Sequence, residues 1–325
     1  MSIDIERLMA EEATLSRQEL WALLEQLEQD SDARYQEAAE RIAQRLHQLG
    51  NAEGRIALEA LPAATRIVRE ELAALADAQN TLLEEGLLLA AVLGLRAFDK
   101  RTLQQRVASK KQLPATERTG LILRIELHNG SNDSHASARK ARAVFNDLRQ
   151  HPLPDGLRLS DRLWRVHQGA ERALLDMLNA AVIRGWDAET ALRNFMDSKG
   201  NISVSPAVYE ALGQARAEQL AKALQDGLLN VPGNPRGLFR RVLRTEINRY
   251  HGKAYMREGA QQEGFKGFRF RLSPNHRVRD ICDTHATVDQ YGLGSGVYPD
   301  EAACPWPAHP NTLSYVEVVF DWEVG

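Results

Sequence analysis

The sequence predicts an α+β protein that is mostly helical in its N-terminal and central regions, with a small antiparallel β-sheet at its C-terminal end. Apolar residues recur at helical spacing through most of the chain before Gly264, which is typical of amphipathic helices. After Gly264 the period changes to two, because Phe268, Phe270 and Leu272 alternate with arginines. Residues 313–322 alternate in the same way. We expect these two segments to pair as strands and to pack on the helix before them.

Composition restricts the class of protein. The 325 residues are 43% hydrophobic, 26% charged and 6% aromatic, with a net charge of −3, which suits a soluble, helix-rich chain. No secretory signal opens the chain, and the longest apolar run, residues 86–95, is shorter than the about 20 residues that a membrane span needs. Two cysteines make no disulfide framework. We therefore expect synthesis in a reducing cytoplasm and no membrane partner.

Residues 1–150 predict a helical docking region. Ser16 and Glu19 form a capping box at the start of one run of apolar residues at helical spacing. Gly50 is a natural helix stop, and Pro62 a natural start. The pattern fits either a helical bundle or a rod that docks on an assembly.

Two stretches of the chain are strongly basic. Residues 99–142 hold ten basic and four acidic residues, and residues 236–279 hold twelve against three. Each stretch is either a solvated surface or a contact for DNA phosphates or an acidic protein. The candidate polyanion or partner contacts are Arg240, Arg241, Arg249, Lys253 and Arg257.

The turn-rich segment HPLPDG, residues 151–156, predicts the main domain boundary. The second domain then covers residues 151–325, with helices over 159–264 and a small sheet plus a Cys/His loop over 265–325. In the long basic helix, Arg244 and Glu246 of the triplet RTE are either surface charges or a structural pair that fixes the helix to the sheet. We favour the structural pair.

Both cysteines are followed closely by a histidine, as Cys282-x2-His285 and Cys304-x4-His309. Two thiolates and two imidazoles suit a tetrahedral Zn²⁺ ion. The glycine-rich loop between the pairs has few apolar residues, so that a metal would crosslink a segment without a core of its own. The sequence therefore predicts a zinc clasp made by these four residues.

Three other interpretations of this region stay open. The cysteines can be small buried residues beside surface histidines. A thiol nucleophile needs a base and oxyanion donors, and only the base is evident. A nuclease of the HNH type would use the His and Asn of AHPN, residues 308–311, but needs a second metal-directed histidine, and only a strand follows.

The C-terminal half resembles the phage head morphogenesis family of Mu F-like minor head proteins. The resemblance covers roughly residues 157–325 and follows the family's order: an RTE helix, an aromatic strand, an Arg/Asp-rich turn to Cys or His, a loop, and a His-Pro step before a last strand. Its residues are Arg244, Thr245, Glu246, Phe268, Phe270, Arg277, Arg279, Asp280, Cys282, His285, Pro299, His309, Pro310 and Asn311.

One departure from the family pattern concerns the metal ligands. Many members carry Cys-Arg-Cys after the His-Pro step, whereas this chain reads HPNTLSY. Cys304, five residues before His309, either replaces the lost ligand or belongs to a loop that packing holds.

The resemblance implies a structural role in the virion rather than catalysis. Members are minor components of tailed-phage heads, associated with the portal and with capsid assembly. We therefore expect portal and capsid proteins as partners, packaged DNA as a nonspecific one, and a location in the head interior or at the portal vertex. The alternative is a phage-encoded enzyme or toxin, nuclease-like, that uses the Cys/His region.

Overall fold

The computed structural model confirms the α+β class, with long helices followed by a three-stranded antiparallel sheet. It describes residues 5–50, 56, 58–97, 132–183, 224–230, 233–262 and 264–320. Its helices and strands include, in chain order, α1 (Ile5–His47), α2 (Leu61–Arg96), α3 (Asn132–Gln150), α4 (Leu159–Ile183), α5 (Pro235–Gly259), β1 (Phe265–Arg271), α6 (Ile281–Thr287), β2 (Val297–Tyr298) and β3 (Tyr315–Phe320).

The chain divides into two compact units, each assembled from separate segments. The first contains residues 1–27, 83–159 and 242–325, and the second contains residues 28–82 and 160–241. One division, between Leu159 and Ser160, falls just after the expected boundary at residues 151–156. Neither unit is one continuous segment, because α1, α2 and α5 each contribute to both.

The sheet has the order β2–β1–β3, with both pairings antiparallel. Phe268 lies opposite Tyr298 of β2 and opposite Val318 of β3. The predicted alternation is confirmed in β1, where Phe268 and Phe270 are fully buried. In β3 the other face is covered as well, since Val319 is as buried as the phenylalanines.

The sheet and α5 enclose one apolar core in the first unit. From α5 come Tyr255 and Met256, from α6 comes Cys282, and from the loop before β3 come Cys304 and Trp306. Gly252 of α5 lets the indole of Trp306 lie directly on the helix backbone, because a Cβ there would overlap the ring. The core therefore anchors the Cys/His region to α5 on one side and to β1 on the other.

The second unit is held by α1, α2, α4 and the start of α5. Ser31 donates a hydrogen bond to Gln79 in its interior (3.2 Å), and Arg41 and Arg45 both bind the carboxylate of Glu71. The Tyr35 hydroxyl donates to the backbone oxygen of Pro235 (3.1 Å).

Candidate functional site

The N-terminus of α6 positions the first cysteine. Asp280 caps this helix: its Oδ1 accepts from the Cys282 amide at 2.8 Å, and Asp283 Oδ2 accepts from the Asp280 amide at 2.8 Å. This reciprocal arrangement is a capping box. It leaves Oδ2 of Asp280 directed to a different partner, the His309 ring.

His309 brings the second half of the site to Cys282. Its Nε2 lies 3.2 Å from Cys282 Sγ and 3.3 Å from Asp280 Oδ2. Its Nδ1 lies 2.9 Å from the backbone oxygen of Pro310. A carbonyl only accepts, so Nδ1 carries a hydrogen, and Nε2 is the ring nitrogen that faces the thiol and the carboxylate.

The three side chains form a ligand set that fits a divalent metal. One Sγ, one Nε2 and one carboxylate oxygen lie within 4.8 Å of one another. Zinc binds such atoms at about 2.0–2.3 Å, which places tetrahedral ligands roughly 3.3–3.8 Å apart. The separation of 3.2 Å between Cys282 Sγ and His309 Nε2, and that of 3.3 Å between His309 Nε2 and Asp280 Oδ2, are close to that spacing already.

The electrostatics of the site differ between its members. Burial acts to raise the pKa of Asp280, but the hydrogen bond from the Cys282 amide and the nearby histidines lower it overall. The carboxylate is therefore charged at neutral pH. Burial raises the pKa of the Cys282 thiol, and the Asp280 charge adds to this. A bound cation would act in the opposite direction and favour the thiolate.

The same geometry argues against a thiol nucleophile. In a Cys-His-Asp triad the carboxylate orients the ring through the nitrogen that the thiol does not use, whereas here Asp280 and Cys282 meet at the same nitrogen. Cys282 is fully buried, so no substrate reaches its sulfur. The raised thiol pKa is also the wrong direction for a nucleophile.

The other two predicted ligands lie elsewhere. The His285 ring packs against Phe270 with ring centroids 5.6 Å apart, and burial lowers its pKa. Cys304 is buried in the core, and burial raises its pKa to about 11. In the described part of the chain, the groups that could hold a metal contain neither residue. They contain Asp280 instead, which the sequence marked only as part of an Arg/Asp-rich turn; its N-cap position before the cysteine was the usable signal.

The predicted polyanion contacts mostly bind groups of the protein itself. Arg249 is 3% exposed, lies 3.3 Å from Glu246 and donates to the His151 backbone oxygen at 2.7 Å. Such a side chain contacts a phosphate only by breaking its own pair, so Arg249 does not fit the prediction. The other three paired cations bind carboxylates: Arg240 binds Asp32, Lys253 binds Glu301 at 3.4 Å, and Arg257 binds Asp147 at 2.5 Å and Glu301 at 3.1 Å.

Burial lowers the pKa of Lys253, and this also argues against the predicted contact of Lys253 with a polyanion. Arg241 is exposed on α5. The paired cations bind groups of the protein because acids from other elements face α5. A count of charges along the sequence does not detect those acids. Of the basic stretch 99–142, residues 99–131 lie outside the described residues.

The RTE triplet has a structural role in α5. Glu246 is fully buried and its ion pair is with Arg249, one helical turn on, while Arg244 is exposed. Thr245 between them accepts a hydrogen bond from the Asn311 amide at 2.7 Å. The triplet therefore ties α5 to the turn that carries His309.

The fold and this site define a helix-rich α+β protein with a cluster of Asp280, Cys282 and His309 beside its sheet. Comparison with protein families, characterised proteins and solved structures finds no match to this chain. Over the described residues, none of the helices is long and apolar enough to cross a membrane.

The ligand set makes a direct prediction for metal content. We expect about one zinc per chain after purification without chelator, and loss of most of it in His309→Ala or Asp280→Asn, because each removes one of three ligands. His285→Ala and Cys304→Ala are the matched controls and should keep the metal. Elemental analysis of all five proteins gives the answer. Loss of zinc in the controls but not in Asp280→Asn would restore the Cys/His set that the sequence predicts.

The buried histidine of α5 predicts a pH dependence of stability. Burial, and then the charge of Arg17, lower the pKa of His251 to about 3, against about 6.5 in the unfolded chain. The unfolded state therefore binds an extra proton between these two pH values. The contribution of His251 to the free energy of unfolding is fully present above about pH 6.5 and is lost as the pH falls toward 3. We expect a contribution of about 1 kcal/mol per pH unit in this window.

Urea titrations of wild type and His251→Gln at pH 7, 6, 5 and 4 measure this contribution. The variant should show a flatter dependence below pH 6.5, while His47→Gln, at an exposed position of α1, should follow the wild type. Parallel curves for wild type and His251→Gln would show that this imidazole does not titrate on unfolding.

Proposed function

We propose that this chain is a minor structural protein of a tailed-phage head that acts in capsid assembly and head morphogenesis together with the portal. The observation that carries the proposal is that the residues behind the family resemblance form bonds within the chain itself. Segments that lie far apart in sequence meet in one unit, and their polar groups bond to backbone or to one another. None of these bonds needs a substrate, which suits a scaffold.

The contacts between α5 and the His-Pro turn support this role. Thr245 receives the Asn311 amide at 2.7 Å, and Asn248 Nδ2 donates to the backbone oxygens of Thr312 (3.2 Å) and Ser314 (3.4 Å). The clasp of Asp280, Cys282 and His309 closes the same turn from the other side. In a structural protein, a zinc ion at the clasp would supply crosslinking of the turn to α6.

The internal pairing of the α5 cations favours a protein partner over packaged DNA for this helix. Nonspecific DNA binding needs several cations that are free to neutralise phosphates, and Arg240, Arg249, Lys253 and Arg257 of α5 already hold internal partners. We therefore propose the portal and capsid proteins as the main partners and DNA as a lesser one. DNA binding through the remaining basic surface would fall by orders of magnitude between about 50 and 200 mM salt.

Particles from a host culture that carries this gene test the proposal. We expect the chain to band with heads in a density gradient, to resist removal by nuclease, and to be present in few copies relative to the major capsid protein by quantitative mass spectrometry. Deletion of the gene should reduce filled heads, and the wild-type gene supplied in trans should restore them. A chain found only in the free protein fraction, with heads unaffected by the deletion, would contradict the virion role.

A further inference from the structure

The short segment that leads into α6 turns both apolar and cationic side chains to the solvent. Val278 and Ile281 are 73% and 49% exposed, and Val278 is the most exposed large apolar side chain in the described part of the chain. Arg277 and Arg279, on either side of Val278, are exposed as well. Residues 277–281 are called the docking edge below.

The two arginines of the docking edge have no acid of their own to bind. Over the residues that the structure describes, neither the Arg277 nor the Arg279 guanidinium lies within ion-pair distance of a carboxylate. The paired cations of α5 are the opposite case, since acids from other elements already bind them. The charges of the docking edge are therefore available to carboxylates from outside the chain.

The acids next to the docking edge are engaged with groups of the protein. Asp280 Oδ1 accepts from the Cys282 amide at 2.8 Å, and its Oδ2 lies 3.3 Å from His309 Nε2. Asp283 Oδ2 accepts from the Asp280 amide at 2.8 Å and lies 3.0 Å from His276 Nε2. Because both carboxylates already have partners in the chain, the charge that the docking edge offers to a partner is positive.

The backbone is fixed at both ends of the docking edge. Before it, the His276 amide donates to the Ser273 backbone oxygen at 2.9 Å, and the Asn275 amide donates to Ser273 Oγ at 3.2 Å. After it, the capping box of Asp280 and Asp283 begins α6. Side chains on a backbone that is already ordered bind a partner with less loss of conformational entropy than those of a loose loop.

The mixture of cations and aliphatic groups selects the kind of partner. Phosphates of a nucleic acid would bind the two arginines but would leave Val278 and Ile281 in water. Membrane surfaces are bound by amphipathic helices with Trp, Phe and Leu on the apolar face, and the docking edge offers only a valine and an isoleucine. A protein surface with carboxylates around a shallow apolar depression buries the aliphatic groups and neutralises the charges together.

We propose that the docking edge binds an acidic protein surface, in which carboxylates face Arg277 and Arg279 and an apolar depression receives Val278 and Ile281. The charge complementarity of the edge defines this chemistry. That the partner is a portal or capsid protein rests on the proposed function.

Photo-crosslinking of the full chain in the host culture tests the proposal. With p-benzoylphenylalanine in place of Val278, irradiation should give a protein adduct, and mass spectrometry should place the link in a partner peptide that contains several acids. Arg277→Glu combined with Arg279→Glu should reduce the adduct at least about tenfold, because like charges then face each other. Arg165→Glu combined with Arg172→Glu is the matched control, since it changes the net charge equally at two exposed positions of α4, and should keep the adduct.

An exchange of charges provides the decisive measurement. Replacing the acids of the linked peptide with lysine should abolish the adduct with the native arginines and restore it with the chain that carries Arg277→Glu and Arg279→Glu. Restoration would also show that the reversed chain is folded. The absence of a protein adduct would overturn the proposal, and so would an adduct with nucleic acid or lipid, or a protein adduct that charge reversal leaves unchanged.

The same cultures separate this proposal from the virion role. An adduct with the expected charge dependence in a chain that is absent from heads would support the docking edge and contradict the virion role. A chain that bands with heads, and whose adduct and copy number are unaffected by the charge reversal, would overturn the docking edge and leave the virion role intact.

Discussion

Replacing Gly94 with alanine should destabilise the protein by about 3 kcal/mol, although the change from glycine to alanine in a helix is usually favourable. Gly94 lies in the last turn of α2, where α5 approaches the backbone directly. A Cβ at this position would overlap the backbone oxygen of His251 and lie 2.9 Å from the Tyr255 amide nitrogen. Backbone atoms of a packed helix cannot move aside as a flexible side chain can, so the two helices would separate.

Gly169→Ala is the matched control for this prediction. Gly169 lies in α4, and a Cβ there would meet nothing within 4 Å. Because only the helix propensity then changes, we expect a gain of up to about 1 kcal/mol. Urea unfolding of both variants measures the two effects, and the prediction is wrong if Gly94→Ala is as stable as the wild type.

The second large effect concerns the buried ion pair of α5. Arg249→Met should cost about 3–5 kcal/mol, because it leaves the Glu246 carboxylate buried without its cation. The side chains of Arg249 and Glu246 are 3% and 0% exposed, and Arg249 also donates to the His151 backbone oxygen at 2.7 Å. Methionine has a similar length and fills the space without the charge, so the loss reports mainly the missing pair.

A double variant separates the charge from the packing. Glu246→Gln together with Arg249→Met should recover part of the loss, because the uncompensated charge is gone. Arg69→Met is the control, since Arg69 binds Glu171 at 3.1 Å with 60% of its side chain exposed, and should cost at most about 1 kcal/mol. Equal losses of stability for Arg249→Met and Arg69→Met would show that the buried pair stabilises the protein no more than the exposed pair does.

The candidate site illustrates which contacts a sequence predicts. Cys282 and His309 were expected to share a metal and do lie 3.2 Å apart. His285 was expected to share the metal with Cys282 because only two residues separate them, but α6 packs so that His285 meets Phe270 of β1. Asp280 entered the ligand group because the cap of α6 holds one of its oxygens and leaves the other to His309.

The sequence by itself determined that long helices precede a small antiparallel sheet in this protein. It did not determine α6, which forms inside the predicted Cys/His loop, nor the start of α1, which begins at Ile5 and runs through the predicted capping box at Ser16. The 3.6-residue period of α5, the alternation in β1, and the cysteine and histidine spacing are local properties that neighbouring residues impose. Only the tertiary structure decided that the α5 cations bind acids of the protein, that Glu246 pairs with Arg249, and which ligands meet. Those partners lie as far as 208 residues away along the chain, as Asp32 does from Arg240. Burial changes the cost of a charge far more than its neighbours in sequence do.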